Sequence, residues 1–296
     1  MPDRIVPIKP PRPASRRFGE YEVVAPLAAG GMGGVYLARH VTSGERVALK
    51  VLDPLFANHA EVVAQLYGER VVAARASHPG LVEIRAAERS GDNVPYLVME
   101  YLDGEDLAAA RDRGSPDLAA IAGIGAQIAA ALAALHAVGV IHCDVKPENV
   151  LVLNDVWGAY PRVKVIDFGV SRLIDAPPAD DTSIAGTPAY MAPEQWRGRP
   201  ELASDVYALG CVLYELATGE TPFDGSLPQL MSAHMEQRPS RPSWVRAMPI
   251  ELERIILRAL TKEPALRPKM AELAFELGEL ADALSASETL RMRIAV

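Results

Sequence analysis

The chain has 296 residues, 49% of them hydrophobic, enough for one two-lobed domain or two small ones. Its formal net charge of −8, from 30 Lys and Arg against 38 Asp and Glu, supplies no basic field, which argues against nucleic acid and against anionic membrane as partners. Two cysteines, Cys143 and Cys211, stand in no metal-ligand spacing and cannot build a disulfide framework, so reduced thiols and a cytoplasmic location are expected. The apolar stretches read as interrupted by Gly, Gln, His or charge before the roughly 18 to 20 residues of a membrane span, and no apolar signal core opens the chain. No span is therefore expected.

Residues 1–17 carry five prolines and five Lys or Arg without periodicity, the composition of a disordered arm. From Phe18 the pattern turns extended: a strand over Tyr21 to Leu27, glycines from Gly30 to Gly34, a strand over Tyr36 to His40, a turn at Thr42-Ser43-Gly44 and a strand over Arg46 to Leu52. A glycine-rich loop alone is a weak signal. A dinucleotide site needs a helix after its glycines, and here a β-hairpin follows instead. A helical pattern over Ala60 to about Ala76 places Glu69 inward if Leu66, Val72 and Ala73 form the buried stripe. His78-Pro79 ends it, and strands follow over Leu81 to Ala86 and Tyr96 to Met99.

Asp103, Gly104 and Asp106 lead away from the strand that ends at Met99, and either carboxylate is placed to meet a hydroxyl or, by slight preference, plain solvent. Pro116 to Val138 is Ala/Leu/Ile-rich with almost no charge after Asp117, the pattern of a helix buried on most sides. It runs into His142-Cys143-Asp144-Val145-Lys146-Pro147-Glu148-Asn149 and the apolar run Val150 to Leu153. Within eight residues this segment holds a carboxylate that can accept a hydroxyl proton, an ammonium that can neutralise a phosphoryl group and a carboxamide that can ligate Mg²⁺. A polar turn between helix and strand is the bland alternative, and a second carboxylate-bearing turn downstream decides against it. Eighteen residues past Asn149, the run Val163 to Ile166 empties into Asp167-Phe168-Gly169.

HCDVKPENV followed by DFG resembles the catalytic and metal-binding loops of protein kinases, and the resemblance extends over nearly the whole chain. It implies an α+β, bilobal protein-kinase fold: an antiparallel β-sheet lobe with one helix over residues 18–101, a mainly helical lobe over 102–284, ATP in the cleft, and a tail over 285–296. It also implies roles for residues at matching positions. Asp144 is the base, Lys146 the γ-phosphate contact, and Asn149 and Asp167 the ligands of Mg²⁺ (or Mn²⁺). Lys50, in Val47-Ala48-Leu49-Lys50, contacts the α- and β-phosphates, and Glu69, nineteen residues on, is its ion-pair partner. Nucleotide contacts fall to Ala28, Gly30, Gly33, Val35, Ala48, Lys50, Met99, Glu100, Leu102 and Leu151, with Ala28 replacing the first loop glycine. His142 is expected to pack on Phe168.

The segment Val170 to Ile184 lacks periodicity and reads as a mobile loop; Thr182 and Ser183, beside Asp180 and Asp181, are its candidate phosphosites. Gly186-Thr187-Pro188-Ala189-Tyr190-Met191-Ala192-Pro193-Glu194 resembles the substrate-binding segment, with Thr187 bridging the base and Lys146. Glu194 is expected to pair with Arg267, because a buried charge needs a partner. Ser204 reads as an N-cap, and Asp205 as the anchor of the catalytic-loop backbone. Further helices are expected over Leu227 to Gln237, Ile250 to Leu260 and Lys269 to Leu284. The motifs are most similar to bacterial Ser/Thr kinases. They imply protein substrates with Ser/Thr acceptors and allow a homodimer for autophosphorylation. A nucleotide-binding pseudokinase would lack catalytic groups, and a small-molecule kinase would lack the peptide platform. One departure stands out: Cys143 occupies the place where the family usually has Arg.

Overall fold

A computed structural model describes residues 17–114, 116–154, 160–174 and 186–294. The chain divides into two compact units, one formed by residues up to Ala74 with Val82–Leu102, the other by Arg75–Leu81 with Asp103 onward. Most of the Pro-rich arm, the candidate phosphosites Thr182 and Ser183, and the end of the tail lie outside the described residues.

The first unit contains β1 (Arg17–Phe18), β2 (Tyr21–Gly30), β3 (Gly33–His40), β4 (Arg46–Leu52), α1 (Ala60–Ala73), β5 (Ile84–Arg89) and β6 (Pro95–Glu100). The strands make one antiparallel sheet in the order β1-β2-β3-β4-β6-β5. Alternation sets its core: Tyr36 and Ala38 of β3 turn inward with Val47, Leu49 and Val51 of β4 and Tyr96 and Val98 of β6. Burying each large apolar side chain contributes about 1.5 to 3 kcal/mol. Phe18 joins this cluster edge-on to Tyr96, with ring centroids 5.4 Å apart. Arg17, the last residue of the stretch read as an arm, therefore belongs to strand β1. Helix α1 buries Val63, Leu66, Glu69 and Val72 and ends at Ala73, short of the expected Ala76. The chain is leaving the unit there: Leu81 forms a parallel bridge with Val165, and the Gly80 carbonyl accepts from the Val165 amide at 2.8 Å. Arg75–Leu81 thus packs with the second unit, where a contiguous first lobe over 18–101 was expected.

The second unit runs β7 (Gly104–Asp106), α2 (Leu107–Asp112), α3 (Leu118–Ala137), β8 (Val140–Ile141), β9 (Val150–Leu153), β10 (Val163–Val165), β11 (Arg172–Leu173), α4 (Pro193–Trp196), α5 (Leu202–Thr218), α6 (Leu227–Glu236), α7 (Ile250–Ala259) and α8 (Met270–Ile294). β9 is the centre of a three-stranded sheet, β10-β9-β7, and β11 pairs with β8. Part of the segment read as a mobile loop is therefore strand. α3 is N-capped by Asp117, whose carboxylate accepts from the Ala120 amide at 2.6 Å. By length and composition this helix could cross a membrane, contrary to the expectation that no apolar stretch is long enough; yet 61% of its apolar window is buried inside the protein, against α5, α8 and β10.

Two further expectations change. α5 begins at Leu202, with Ser204 in its first turn accepting from the Glu201 amide at 3.0 Å; Ser204 is not the N-cap, because its hydroxyl is committed to Glu194 at 2.6 Å. α8 continues through the region read as a tail. The Tyr160 hydroxyl pins it by donating to the Ala281 carbonyl at 2.5 Å, with Ser285 Oγ also at 2.5 Å. Cys143 and Cys211 are both buried free thiols, and burial pushes the ionisation of each upward.

Candidate active site

In the second unit the chain leaves β8, crosses His142 to Lys146 and enters a tight turn over Pro147–Asn149 that opens into β9. Pro147 fits the first position of that turn, where no amide donor is needed. Cys143 has φ +67°, a left-handed backbone that costs a non-glycine residue about 1 to 2 kcal/mol. Three contacts hold it. The Asp205 carboxylate accepts from the His142 amide at 2.8 Å and the Cys143 amide at 2.9 Å, and Gln195 Nε2 donates to the Cys143 carbonyl at 2.8 Å. Asp205 is itself buried, with His136 Nε2 at 2.8 Å from its Oδ2. A buried carboxylate with this many donors is a stiff support.

The support sets Asp144. Its Oδ1 accepts from Thr187 Oγ1 at 2.7 Å, and its Oδ2 lies 3.0 Å from Asn149 Nδ2 and 2.8 Å from Lys146 Nζ. Lys146 Nζ also donates to Thr187 Oγ1 at 2.8 Å. Carboxylate, ammonium and hydroxyl thus form a closed triangle, with Thr187 bridging the other two. Chemically, the triangle offers an oriented proton acceptor beside a positive charge, the pair that transfer of a phosphoryl group to a hydroxyl requires. The His142 ring stands edge-on to Phe168 with centroids 5.8 Å apart and receives the Asp144 amide at its Nδ1 at 3.3 Å. It is a packing and orienting residue.

Asp167 has φ +64°, and its Oδ1 accepts from the Gly169 amide at 3.1 Å. The Ile166 amide donates to the Asn149 carbonyl at 2.9 Å, tying the residue before Asp167 to Asn149. Asn149 spends its amide nitrogen on Asp144, which turns its side-chain oxygen away. A carboxylate and an amide oxygen on adjoining backbones are hard ligands of the kind Mg²⁺ accepts. No cluster of three or more His, Cys, Asp or Glu with metal-binding geometry occurs among the described residues. Mg²⁺ is in general held by one or two carboxylates together with substrate phosphates and water. Leu151 lies in the central strand β9, opposite Lys164 and Asp106.

Asp103 and Asp106 have structural partners. Asp106 caps α2 by accepting from the Ala109 amide at 2.8 Å, and Asp103 accepts from Asn154 Nδ2 at 3.1 Å. Glu194 and Arg267 form the expected pair, at 2.6 and 2.9 Å.

In the first unit, Lys50 Nζ donates to both carboxylate oxygens of the buried Glu69, at 2.7 and 2.9 Å. β4 fixes the lysine opposite Val35 of β3 and Leu97 of β6, and sets Ala48 opposite Met99. Glu100 Oε1 accepts from the Glu83 amide at 2.8 Å, and Leu102 follows the end of β6. The glycine segment is a continuation of the β2–β3 hairpin, with Gly30 opposite Gly33 across a two-residue turn. At Gly33 a Cβ would collide with the Val51 carbonyl oxygen, so only glycine permits this approach to β4. Ala28 pairs with Val35 just past an irregularity in the β2–β3 register, without a positive φ, and needs none of glycine's freedom.

The sequence reading missed Gln195, which supports Cys143, and a polar chain through Arg111, Glu215 and Tyr190. A signal existed for the second: Glu215 is the one charge in the apolar stretch Val206 to Ala217, and a charge there demands a partner.

Comparison with known proteins agrees with this geometry. The protein kinase domain family matches residues 21–276. The chain is 41% identical over 254 residues to serine/threonine-protein kinase Pkn1 of Myxococcus xanthus, an alignment covering 84% of this chain and 36% of the relative. It is 39% identical over 280 residues to serine/threonine-protein kinase PkaA of Streptomyces coelicolor (90% and 50%), and 38% identical over 265 residues to serine/threonine-protein kinase PknB of Mycobacterium leprae (85% and 41%). The chain thus spans half or less of the length of these curated relatives. A family of this kind uses ATP and a divalent metal and acts on proteins. With an antiparallel sheet and one helix in its first unit and a mainly helical second unit, and with this match over most of its length, the chain belongs to the protein kinase domain family.

Proposed function

We propose that this chain is an ATP-dependent serine/threonine protein kinase that moves the γ-phosphate of Mg-ATP to hydroxyls of protein substrates, its own among them. The observation that carries the reading is the Asp144–Lys146–Thr187 triangle. Asp144 accepts the proton of the attacking Ser or Thr hydroxyl as its oxygen bonds to the γ-phosphorus and the bond from that phosphorus to the β–γ bridging oxygen breaks, releasing ADP. Lys146 presents its ammonium to the transferring group, and Thr187 keeps the two in register. Lys50, fixed by Glu69, is the contact for the α- and β-phosphates. Asn149 and Asp167 would hold Mg²⁺, which supplies charge neutralisation of the phosphates. The names of the bacterial relatives support Ser/Thr acceptors over tyrosine. A reducing, ATP-supplied cytoplasm suits the two buried thiols, and Thr182 and Ser183 are candidate targets of autophosphorylation between two copies. The pseudokinase alternative gains no support, since Lys50, Glu69, Asp144, Asn149 and Asp167 are all present.

The test is incubation of the purified chain with labelled ATP and Mg²⁺, followed by mass-spectrometric mapping of phosphosites. We expect phosphoserine and phosphothreonine from wild type, and a loss of about 10² to 10⁴ in rate for Asp144→Asn with ATP affinity retained. Label confined to tyrosine, or an Asp144→Asn variant keeping more than about a tenth of the turnover, would refute the assignment.

A further inference from the structure

Helix α6 packs against the turn Pro188–Tyr190 and against α4, the stretch whose sequence resembles a peptide platform. The residues it buries are Ala233 and His234. The His234 ring stands edge-on to Phe223 and to Tyr207, with centroids 5.0 and 5.7 Å apart. Its Nδ1 lies 3.0 Å from the Tyr207 hydroxyl, and Lys262 Nζ donates to that same hydroxyl at 3.0 Å. Lys262 also donates to the Ala233 carbonyl at 3.2 Å and sits 4.4 Å from the centre of the Phe223 ring. Phosphoryl transfer as described above uses none of these side chains.

The protons along this row have one arrangement. An ammonium can only donate, so the Tyr207 oxygen accepts from Lys262; burial lowers Lys262 to about 8, which leaves it charged at neutral pH. Burial also suppresses ionisation of the Tyr207 phenol, so Tyr207 keeps its proton and gives it to His234 Nδ1. The imidazole is held down at about 4 and is therefore neutral, with a single proton. Since Nδ1 accepts, that proton is on Nε2.

Nε2 is buried and has no partner in full hydrogen-bond geometry, an uncommon state for a polar atom in a folded interior. The Ala189 backbone pulls the imidazole upward, the direction of a carbonyl facing a ring donor, and Ala189 is the middle residue of the turn Pro188–Tyr190. Among the described residues one other buried side-chain nitrogen lacks a partner, Trp196 Nε1. It belongs to α4, the other element of the platform that α6 covers. Both unmatched nitrogens are thus on elements that meet where the platform rests on α6.

We propose that Lys262, Tyr207 and His234 form a one-way hydrogen-bond relay that presents the His234 Nε2 proton to the Ala189 carbonyl and so positions the peptide platform; the proposal rests on the kinase reading above. The relay sets affinity for the protein substrate and leaves phosphoryl transfer itself alone. A merely structural role predicts lost stability with no split between substrate affinity and turnover, and no dependence on which ring nitrogen carries the proton.

The experiment uses the full chain with labelled ATP, Mg²⁺ and myelin basic protein as acceptor. Initial rates give KM and kcat for the acceptor, while ATP hydrolysis without acceptor reports on the catalytic groups apart from the platform. The variants are Tyr207→Phe, which removes one oxygen, His234→Phe, and His234→Gln, whose amide N–H reaches the place of Nε2. All are assayed at a temperature where circular dichroism shows every one folded. Tyr207→Phe and His234→Phe should raise the acceptor KM by about three- to tenfold, the worth of one hydrogen bond. In both, kcat and ATP hydrolysis should stay within about twofold of wild type, and His234→Gln should restore the acceptor KM to within about twofold. Nitrogen NMR shifts, with the His234 signals assigned by their loss in His234→Gln, should show Nε2 protonated in wild type and a mixture of tautomers in Tyr207→Phe. If His234→Phe does not fold, Tyr207→Phe and the tautomer measurement decide. If wild type labels itself and not myelin basic protein, the Asp144→Asn chain serves as acceptor. A proton on Nδ1 in wild type, an acceptor KM unchanged in Tyr207→Phe, or kcat and ATP hydrolysis falling in step with affinity would each overturn the relay while the kinase reading stands. A wild type that transfers phosphate neither to itself nor to an acceptor would overturn the kinase reading and the relay with it.

Discussion

Asp205→Asn changes one atom type in a buried side chain that holds the backbone of the catalytic loop, and it should disable the enzyme. The Asp205 carboxylate accepts the amides of His142 and Cys143 at 2.8 and 2.9 Å and faces His136 at 2.8 Å. An asparagine keeps one acceptor oxygen and sets an NH₂ group against one of those donors. A hydrogen bond to a charged acceptor contributes about 1.5 to 3 kcal/mol, and a buried donor left unpaired costs a further 1 to 3 or so. The sum, about 3 to 5 kcal/mol, corresponds to a Tm drop of roughly 8 to 15 °C for a unit of this size. Catalysis should suffer separately. The φ of +67° at Cys143 relaxes once its amide is released, and a shift of Asp144 by about 1 Å can cost about a hundredfold in rate. Adding Cys143→Gly should recover part of the stability, about 1 kcal/mol, because glycine accepts that backbone without strain. Thermal melts followed by circular dichroism, and peptide-phosphorylation rates below the lower Tm, measure both effects. A Tm shift under about 2 °C with kcat within about threefold of wild type would refute the account of Asp205 as the support of the catalytic loop.

Ala28→Gly should change KM for ATP by less than about fivefold, equivalent to about 1 kcal/mol, since Ala28 sits opposite Val35 without a positive φ; a hundredfold gain in a titration of initial rate against ATP would show a crippled loop. His234 is buried against Tyr207, Phe223 and Lys262, and burial holds its imidazole down at about 4. The unfolded state therefore binds a proton near pH 6.5 that the native state refuses until about pH 4, so stability present above pH 6.5 falls across that window by about 3 kcal/mol; denaturant melts of wild type should lose this increment relative to His234→Phe, and parallel pH profiles would contradict it. Cys143 is a buried thiol whose ionisation is suppressed, so it cannot pair with a loop phosphate as an arginine at this position would. Phosphatase-treated and phosphorylated chains should differ in initial rate by less than about tenfold, and a larger rise would point to a substitute cation such as Arg172, which faces the Cys143 thiol.

The parts of the site carried by contiguous motifs were legible in the sequence. Asp144, Lys146 and Asn149 fall within six residues, so local order alone nearly places them, and a hairpin after the glycines was readable from its turn and its alternation. Glu69 was readable as inward-facing because its helix offers only one apolar stripe. What escaped was long-range. Arg111 and Glu215 meet across 104 residues, and no local pattern names the partner, only the need for one. Arg75–Leu81 read as a link between elements of one lobe, since nothing in its composition says that Gly80 will bond to Val165. The N-cap of α5 was misplaced because a serine at a helix start has two uses, and here a buried glutamate ten residues upstream claimed its hydroxyl. The tail read as unanchored because its tether, Tyr160, lies 125 residues earlier than Ser285.

The two thiols give the molecule a pair of internal clocks. Cys143 sits in the strained turn beneath Asp144, and Cys211 sits in the middle of α5 with no solvent exposure. Neither can react with an alkylating reagent until its surroundings open, because the reactive thiolate is suppressed in both places. Modification of Cys211 must wait for the helical core to come apart, whereas Cys143 needs only the loop and its Asp205 support to let go. The interval between the two labelling rates therefore separates local breathing of the catalytic loop from global unfolding, without any probe being introduced.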